Sequence, residues 1–102
     1  MMQFENTPDL YVDGACLQGY LPAGYHDLVR VFGEPTYNET SGDGKVDIEW
    51  NLEFADGTVA TIYNWKDFDG GQSAREAISY EWHIGGHDKQ SLYYVWDAWS
   101  QR

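Results

Sequence analysis

The sequence predicts an α+β fold, with two helices packed on one face of an antiparallel sheet in the order β-α-β-β-β-α. Residues 46–54 alternate apolar and polar side chains, which is typical of a half-buried strand because successive side chains point to opposite faces. Asp56-Gly57 separates this run from a second β-rich run, so residues 46–65 are predicted to form a hairpin. Two other segments carry apolar residues at three- and four-residue spacing, which indicates amphipathic helices.

The chain is expected to form a single domain over residues 15–102, preceded by a polar segment of residues 1–14. This segment shows no sustained period, and we interpret it as an N-terminal extension or a short edge segment. Its apolar residues Phe4, Leu10 and Tyr11 would dock it on the domain. Residues 15–21 then predict a first strand, in which Gly19 weakens the ladder or marks a bulge.

The first helix is predicted to follow directly. Pro22 suits its first turn, where a missing N–H is harmless, and Gly33 with Pro35 ends it. Residues 36–45 are then expected to form a polar loop that leads into the hairpin. The apolar stripe of this helix consists of Tyr25, Leu28, Val29 and Phe32.

The register of the hairpin depends on its turn. A two-residue turn at Asp56-Gly57 would pair Trp50 with Tyr63 and place both on one face, together with Ile48 and Trp65. A bulge at the turn would instead exchange the two faces of the second strand. We expect the register without a bulge, in which Trp50 pairs with Tyr63.

The remaining chain predicts a loop, a strand and a helix. Residues 66–75 are loop-like, and residues 78–84 form a third β-rich run that Gly85-Gly86 stops. Asp88 is a plausible N-cap for the last helix. The third strand would place Tyr80, Trp82 and Ile84 on one face, and the apolar stripe of the last helix consists of Leu92, Val95, Trp96 and Trp99.

The composition limits the possible partners. Six basic and seventeen acidic residues give a formal net charge of −11, which repels nucleic-acid phosphates and anionic membranes. The same charge offers carboxylates to a basic groove, although it also serves solubility. Five Trp and eight Tyr exceed what one small core hides, so exposed aromatic residues are expected to form a binding surface. With one Cys, no apolar span and no signal peptide, a cytoplasmic location is expected.

Catalytic signatures are weak throughout the chain. His83 and His87 straddle a Gly-Gly break, which leaves their geometry as a metal pair undetermined. Cys16 lies in an apolar run and no Ser lies in a G-x-S-x-G elbow, while Glu49 and Glu53 suggest a solvated sheet face. We therefore expect no enzymatic activity, no cofactor and no metal.

Two strand ends carry the residues that would suit a ligand. Tyr63, Trp65 and Lys66 close the second hairpin strand, and a Trp-His-Ile-Gly-Gly run closes the third. Parallel strands would bring these ends together, whereas antiparallel neighbours would separate them. Alternatively, both indoles belong to the core. The candidate residues of the third strand are Trp82, His83, Gly85 and Gly86.

Four blocks of the chain resemble a family of small proteins common in bacteriophages, with related copies in bacteria and some eukaryotes. The blocks are LQGYL, LVRVFGEPT, DGKVDIEWNLEFADGTVATIYNWKD and EWHIGGHDKQS, and they cover most of residues 15–95. The recurrent YNWK and WHIGG blocks of that family correspond here to residues 63–66 and 82–86. The resemblance implies a phage context and brings no assigned activity. The chain departs from the family in its 66–77 loop and its aromatic C-terminal helix.

Two hypotheses follow from these observations. In the first, the protein is a counter-defence inhibitor, similar in action to an anti-CRISPR protein, and occupies the nucleic-acid channel of a host defence protein. In the second, it sequesters a nucleotide signal through Trp65, Trp82, Lys66 and His83. A metal hydrolase is a third option, and the stripe of the last helix is also compatible with a homodimer. The acidic face of the first hypothesis consists of Asp43, Asp47, Glu49, Glu53 and Asp56.

Overall fold

Residues 3–7 and 14–102, which the computed structural model describes, form an antiparallel five-stranded sheet and three helices. The strand order across the sheet is β1-β3-β4-β5-β2. The predicted α+β class and antiparallel sheet are confirmed, and the structure adds a short first strand and a short middle helix. The elements are β1 (Phe4–Asn6), β2 (Cys16–Ala23), α1 (Tyr25–Phe32), β3 (Glu49–Phe54), β4 (Val59–Tyr63), α2 (Gln72–Glu76), β5 (Tyr80–Gly86) and α3 (Lys89–Ser100).

The segment before residue 15 contributes an edge strand, one of the two forms predicted for it. Strand β1 pairs with β3, and the Phe4 ring lies 5.4 Å from the ring of Phe32 and 5.6 Å from that of Phe54. This aromatic contact attaches the edge strand to the core. Leu10 and Tyr11, the other predicted docking residues, lie outside the described residues.

Strand β2 contains the predicted irregularity at Gly19. The register with β5 shifts between Leu17 and Gly19, and the Leu92 side chain packs where a Cβ of Gly19 would stand. The prediction for Pro22 was wrong, because this residue lies in β2 and α1 begins at Tyr25. An edge strand tolerates proline where its missing N–H would face away from the ladder.

The simple hairpin register was wrong by one residue. Trp50 pairs with Ile62, and Glu49 pairs with Tyr63. The cause is a three-residue loop: the Phe54 N–H donates to the Thr58 carbonyl at 2.8 Å, and Gly57 adopts a φ of 90°. A left-handed glycine after a tight turn produces a bulge that shifts the second strand. Tyr63 consequently lies on the face of Glu49, opposite to the buried Trp50.

One face of the sheet packs against α1 and α3 and forms the core. Trp50 and Trp82 are fully buried there, with ring centroids 5.4 Å apart at 84°. The Trp82 indole N–H donates to the Ala23 carbonyl at 3.0 Å, which satisfies its only donor. The remaining large core residues come from every layer: Leu21, Leu28, Phe32, Ile48, Leu52, Phe54, Ile62, Ile84, Val95 and Trp99.

Helix α3 begins as predicted and is only partly buried. The Asp88 side chain accepts a hydrogen bond from the Gln90 backbone N–H at 2.9 Å, so Asp88 is the N-cap. Val95 and Trp99 face the core, whereas Trp96 is 39% exposed. None of the described helices is long and apolar enough to cross a membrane.

Candidate functional site

A row of side chains crosses the second face of the sheet, the face opposite to α1 and α3. Glu49 pairs with Tyr63, Tyr63 with His83, and His83 with Tyr20, across four adjacent strands. The His83 ring lies 5.4 Å from the Tyr63 ring and 5.0 Å from the Tyr20 ring. The row therefore joins one carboxyl group to three contacting rings.

Trp65 extends this row beyond the end of β4. Its indole stacks on His83 at 6.1 Å and 30°, and 38% of the residue is exposed. The Lys66 Nζ lies 5.5 Å and the Lys45 Nζ 5.9 Å from the centroid of the indole. The structure thus brings together four predicted site residues, namely Tyr63, Trp65, Lys66 and His83, although β4 and β5 are antiparallel. The expectation that antiparallel neighbours separate these residues was wrong, because His83 lies within β5, opposite Tyr63. Lys45 was missed, since a lysine in a polar loop carries no sequence signal for its position in space.

The other predicted residues of the third strand do not join this cluster. Trp82 points into the core on the opposite face of the sheet, so the two-indole pocket predicted for parallel strands does not form. Gly85 and Gly86 instead permit close packing. A Cβ at Gly85 would lie 2.5 Å from the Thr61 Oγ1, and one at Gly86 would overlap the Ser91 side chain.

An acidic groove lies beside the second face. It has a volume of about 730 Å³ and is lined by residues of the 36–47 loop and by Glu49. Tyr37 borders it and is tied to Glu49 by two backbone hydrogen bonds of 2.9 Å. Glu39 was not predicted as a site residue. The carboxyl groups of the lining belong to Glu39, Asp43, Asp47 and Glu49.

The five acidic residues predicted to form one face do not lie together in the structure. Asp47 is 1% exposed, so the prediction that it offers surface charge was wrong. Asp56 lies at the hairpin turn, where its carboxylate accepts a hydrogen bond from the Tyr94 hydroxyl of α3 at 2.6 Å. Glu53 does lie on the same strand face as Glu49, but it pairs with Glu5 outside the groove. Only Asp43 and Glu49 of the five predicted acids thus add accessible carboxylates to the groove.

A buried polar network holds the groove loop to the end of β4. The Asn64 side-chain oxygen accepts hydrogen bonds from the backbone N–H groups of Asp47 and Ile48, at 2.8 and 2.9 Å. Its amide nitrogen donates to the Asp47 carboxylate at 2.9 Å, and the Thr40 hydroxyl donates to the same carboxylate at 2.7 Å. Because buried polar groups are costly without partners, this network makes the geometry of both loops well defined.

The loop after β4 has a strained backbone. Lys66 and Phe68 have φ values of 56° and 55°, in the left-handed region that disfavours residues with a Cβ. The Asp67 carboxylate accepts a hydrogen bond from the Tyr80 hydroxyl at 2.5 Å, and burial with this bond raises the pKa of Tyr80. Strain of this kind persists only where surrounding contacts impose it, and it is frequent at binding sites.

Burial raises the pKa of the Glu49 carboxyl group, although a hydrogen bond from Asn51 acts in the opposite direction. A raised pKa means that the folded state disfavours the carboxylate. The free-energy cost is fully present above the pKa of the folded state and is relieved as the pH falls through it toward 4.5, the ordinary pKa of a glutamate side chain. Glu49→Gln is therefore expected to stabilise the protein at neutral pH, and this gain should shrink near pH ~4.

Urea titrations at the two pH values measure this difference. Glu34→Gln, which changes an exposed carboxyl group, is the control and should show little effect at either pH. A variant Glu49→Gln that is less stable than the wild type at neutral pH would show that the carboxylate is favourably held.

The predicted histidine pair is not assembled into a metal site. His83 lies within the aromatic row, where burial lowers the pKa of its imidazole, and His87 is exposed beyond the end of β5. Among residues 3–7 and 14–102, no three His, Cys, Asp or Glu side chains are grouped to hold a metal ion. Cys16, which the sequence places within an apolar run, is exposed at the start of β2.

The fold and site define an α+β protein with an acidic groove next to a cationic aromatic cluster. No family model, no curated protein and no solved structure matches the chain.

Proposed function

We propose that this chain is a non-enzymatic binding protein of phage type, a counter-defence inhibitor that occupies a basic site on a host defence protein. The acidic groove carries the proposal. Its accessible carboxyl groups belong to Glu39, Asp43 and Glu49, and none of them forms an ion pair, since the ion pair found among the described residues joins Arg30 to Asp27. Unpaired carboxylates in a hollow attract the arginine and lysine side chains that normally bind nucleic-acid phosphates.

The dimensions of the groove suit cationic side chains of a protein. Its volume of about 730 Å³ is larger than one arginine or lysine side chain requires. Glu39 and Asp43 are exposed at its border, and Glu49 is half-buried at its base. A partner's guanidinium group inside the groove would compensate the cost of keeping Glu49 charged, because an opposite charge favours the ionised form.

An aromatic residue stands beside these charges. Tyr37 borders the groove with 44% of its surface exposed, and its backbone is fixed against Glu49 by two hydrogen bonds. Rigid exposed tyrosines are frequent anchors in protein interfaces. The net charge of −11 adds long-range attraction toward a basic partner, which accelerates association at low salt.

The double variant Glu39→Lys/Glu49→Gln is expected to lose partner binding at least about tenfold, because it reverses one groove charge and removes another. The tagged protein is incubated with extract of a phage-sensitive bacterium, and captured proteins are quantified by mass spectrometry. The proposal expects a nucleic-acid-binding protein that is retained at about 50 mM salt and released at about 0.5 M.

Asp97→Lys is the matched control, since it changes the charge on an exposed part of α3 that does not line the groove. It should retain the partner that the groove variant loses. Equal capture by all three proteins, or capture that persists unchanged through the salt series, would contradict the proposal.

A further inference from the structure

The six lysine and arginine residues of the chain differ in whether their charged groups are bonded to the rest of the protein. Four of them are engaged in an ion pair or in hydrogen bonds to the protein itself. The ammonium groups of Lys45 and Lys66 have no hydrogen bond or ion pair to any described residue, and both lie within 6 Å of the Trp65 indole centroid. The four engaged residues are Arg30 with Asp27, Arg75 with Gly70 and Asn38, Lys89 with Gln18, and Arg102 with Trp99.

The two lysines are held in this arrangement by the backbone. The Lys66 N–H donates to the Lys45 carbonyl at 2.7 Å, which joins the two loops that carry these lysines. Lys66 also has a φ of 56°, in the left-handed region that disfavours residues with a Cβ. This unfavourable backbone conformation thus occurs at Lys66, one of the two residues whose ammonium groups lie beside the indole.

The indole itself is fixed and partly open. His83 stacks against it, and the Tyr63 ring lies 6.1 Å from it at 76°. Burial lowers the pKa of His83, so this ring is neutral at physiological pH and leaves the positive charge to the lysines. The cluster therefore offers a partly exposed indole with two ammonium groups close to it, and neither ammonium group has a hydrogen bond or ion pair to the described residues.

From this geometry we infer that Trp65, Lys45 and Lys66 form a binding site for a nucleotide. Its phosphate groups lie between the two ammonium groups, and its base packs on the exposed surface of the indole. Stacking on an aromatic side chain favours binding of any base, because every base has a π-face. The site is separate from the acidic groove, whose lining includes none of these three residues.

The net charge of the chain does not prevent this binding. Charges farther away than the Debye length of about 8 Å are screened at physiological ionic strength, whereas the two lysines act at contact distance. Asp43, the acid that interacts with Lys45, has its carboxylate occupied by the Ser41 hydroxyl at 2.7 Å and the Lys45 backbone N–H at 3.1 Å. These hydrogen bonds hold the Asp43 carboxylate to its own loop, and it forms no ion pair with the Lys45 ammonium group.

The test follows the Trp65 indole N–H signal by NMR while the protein is titrated with ADP, pyrophosphate or adenosine up to about 10 mM. The signal is assigned with Trp65→Phe. ADP is expected to shift it with saturation, pyrophosphate to bind about tenfold more weakly for lack of stacking, and adenosine to bind more weakly still for lack of phosphate. Lys45→Gln/Lys66→Gln should weaken ADP binding at least about tenfold.

Lys89→Gln is the control, because Lys89 lies on α3 and its Nζ already donates a hydrogen bond to the Gln18 carbonyl. It should bind ADP like the wild type. The inference is overturned if ADP leaves the Trp65 signal unshifted, if adenosine or pyrophosphate binds as tightly as ADP, or if the double lysine variant binds ADP unchanged.

Discussion

Trp82→Ala is expected to lower the free energy of unfolding by about 4 kcal/mol, as is usual when a large buried aromatic side chain is removed. Trp82 is fully buried and its ring contacts that of Trp50. Its indole N–H donates a hydrogen bond to the Ala23 carbonyl, which the substitution would remove. Since small domains are stable by only about 5–15 kcal/mol, much of the variant should be unfolded at moderate urea concentrations.

Trp65→Ala is the matched comparison for Trp82→Ala, because the sequence predicted that both tryptophans belong to one binding site. Trp65 is 38% exposed, so its removal should change the free energy of unfolding by less than about 1 kcal/mol. Urea unfolding followed by circular dichroism measures both variants on the same scale. Similar losses for the two tryptophans would mean that the core and the surface cluster are assigned incorrectly.

Gly86→Ala is expected to cost about 3 kcal/mol, because the new methyl group would overlap the Ser91 side chain at the start of α3. Ser91 cannot move away freely, since it is 1% exposed and its hydroxyl donates to the Val59 carbonyl at 2.6 Å. That carbonyl also lies 3.1 Å from the position of the new Cβ. The substitution would therefore push α3 away from the sheet.

A second substitution tests this mechanism by rescue. Ser91→Gly alone should cost about 1 kcal/mol, from helix propensity and the lost hydrogen bond. In the Gly86→Ala background it should restore stability, because it removes the atoms that collide with the methyl group. Strictly additive losses in a double-mutant cycle would rule out the proposed contact.

The sequence alone was sufficient where a property depends on a few neighbouring residues. The alternation of residues 46–54 predicted β3, the spacing from Tyr25 to Phe32 predicted α1, and Asp88 predicted the start of α3. The register shift before Gly19 agrees with one of the two effects predicted from a glycine within a strand, a bulge or a weakened ladder. In each case the backbone preference of a short segment agrees with its later packing.

Helix α2 could not be predicted from local patterns, and β1 was predicted only as one of two alternatives, a short edge segment. Strand β1 has three residues and α2 has five, so neither shows a full period of hydrophobicity. Their stability comes from contacts that are distant in the sequence, such as those between Phe4 and Phe54. Pro22 was misplaced because a proline suits both the first turn of a helix and an edge strand.

The candidate site depended most on tertiary structure. A one-residue bulge at Gly57 decided that Tyr63 faces Glu49 rather than Trp50, because each step along a strand reverses the side-chain direction. The antiparallel pairing of β4 and β5 placed His83 beside Tyr63.

Sequence patterning by itself determined that this chain is an acidic, aromatic α+β domain, since these properties follow from composition and local periodicity. Only the tertiary structure separated Trp82 from Trp65, buried Asp47 and brought Lys45 to the indole. Exposure and convergence are set by strand register and by loops that meet across the sheet, and neither property is encoded in the spacing of residues along the chain.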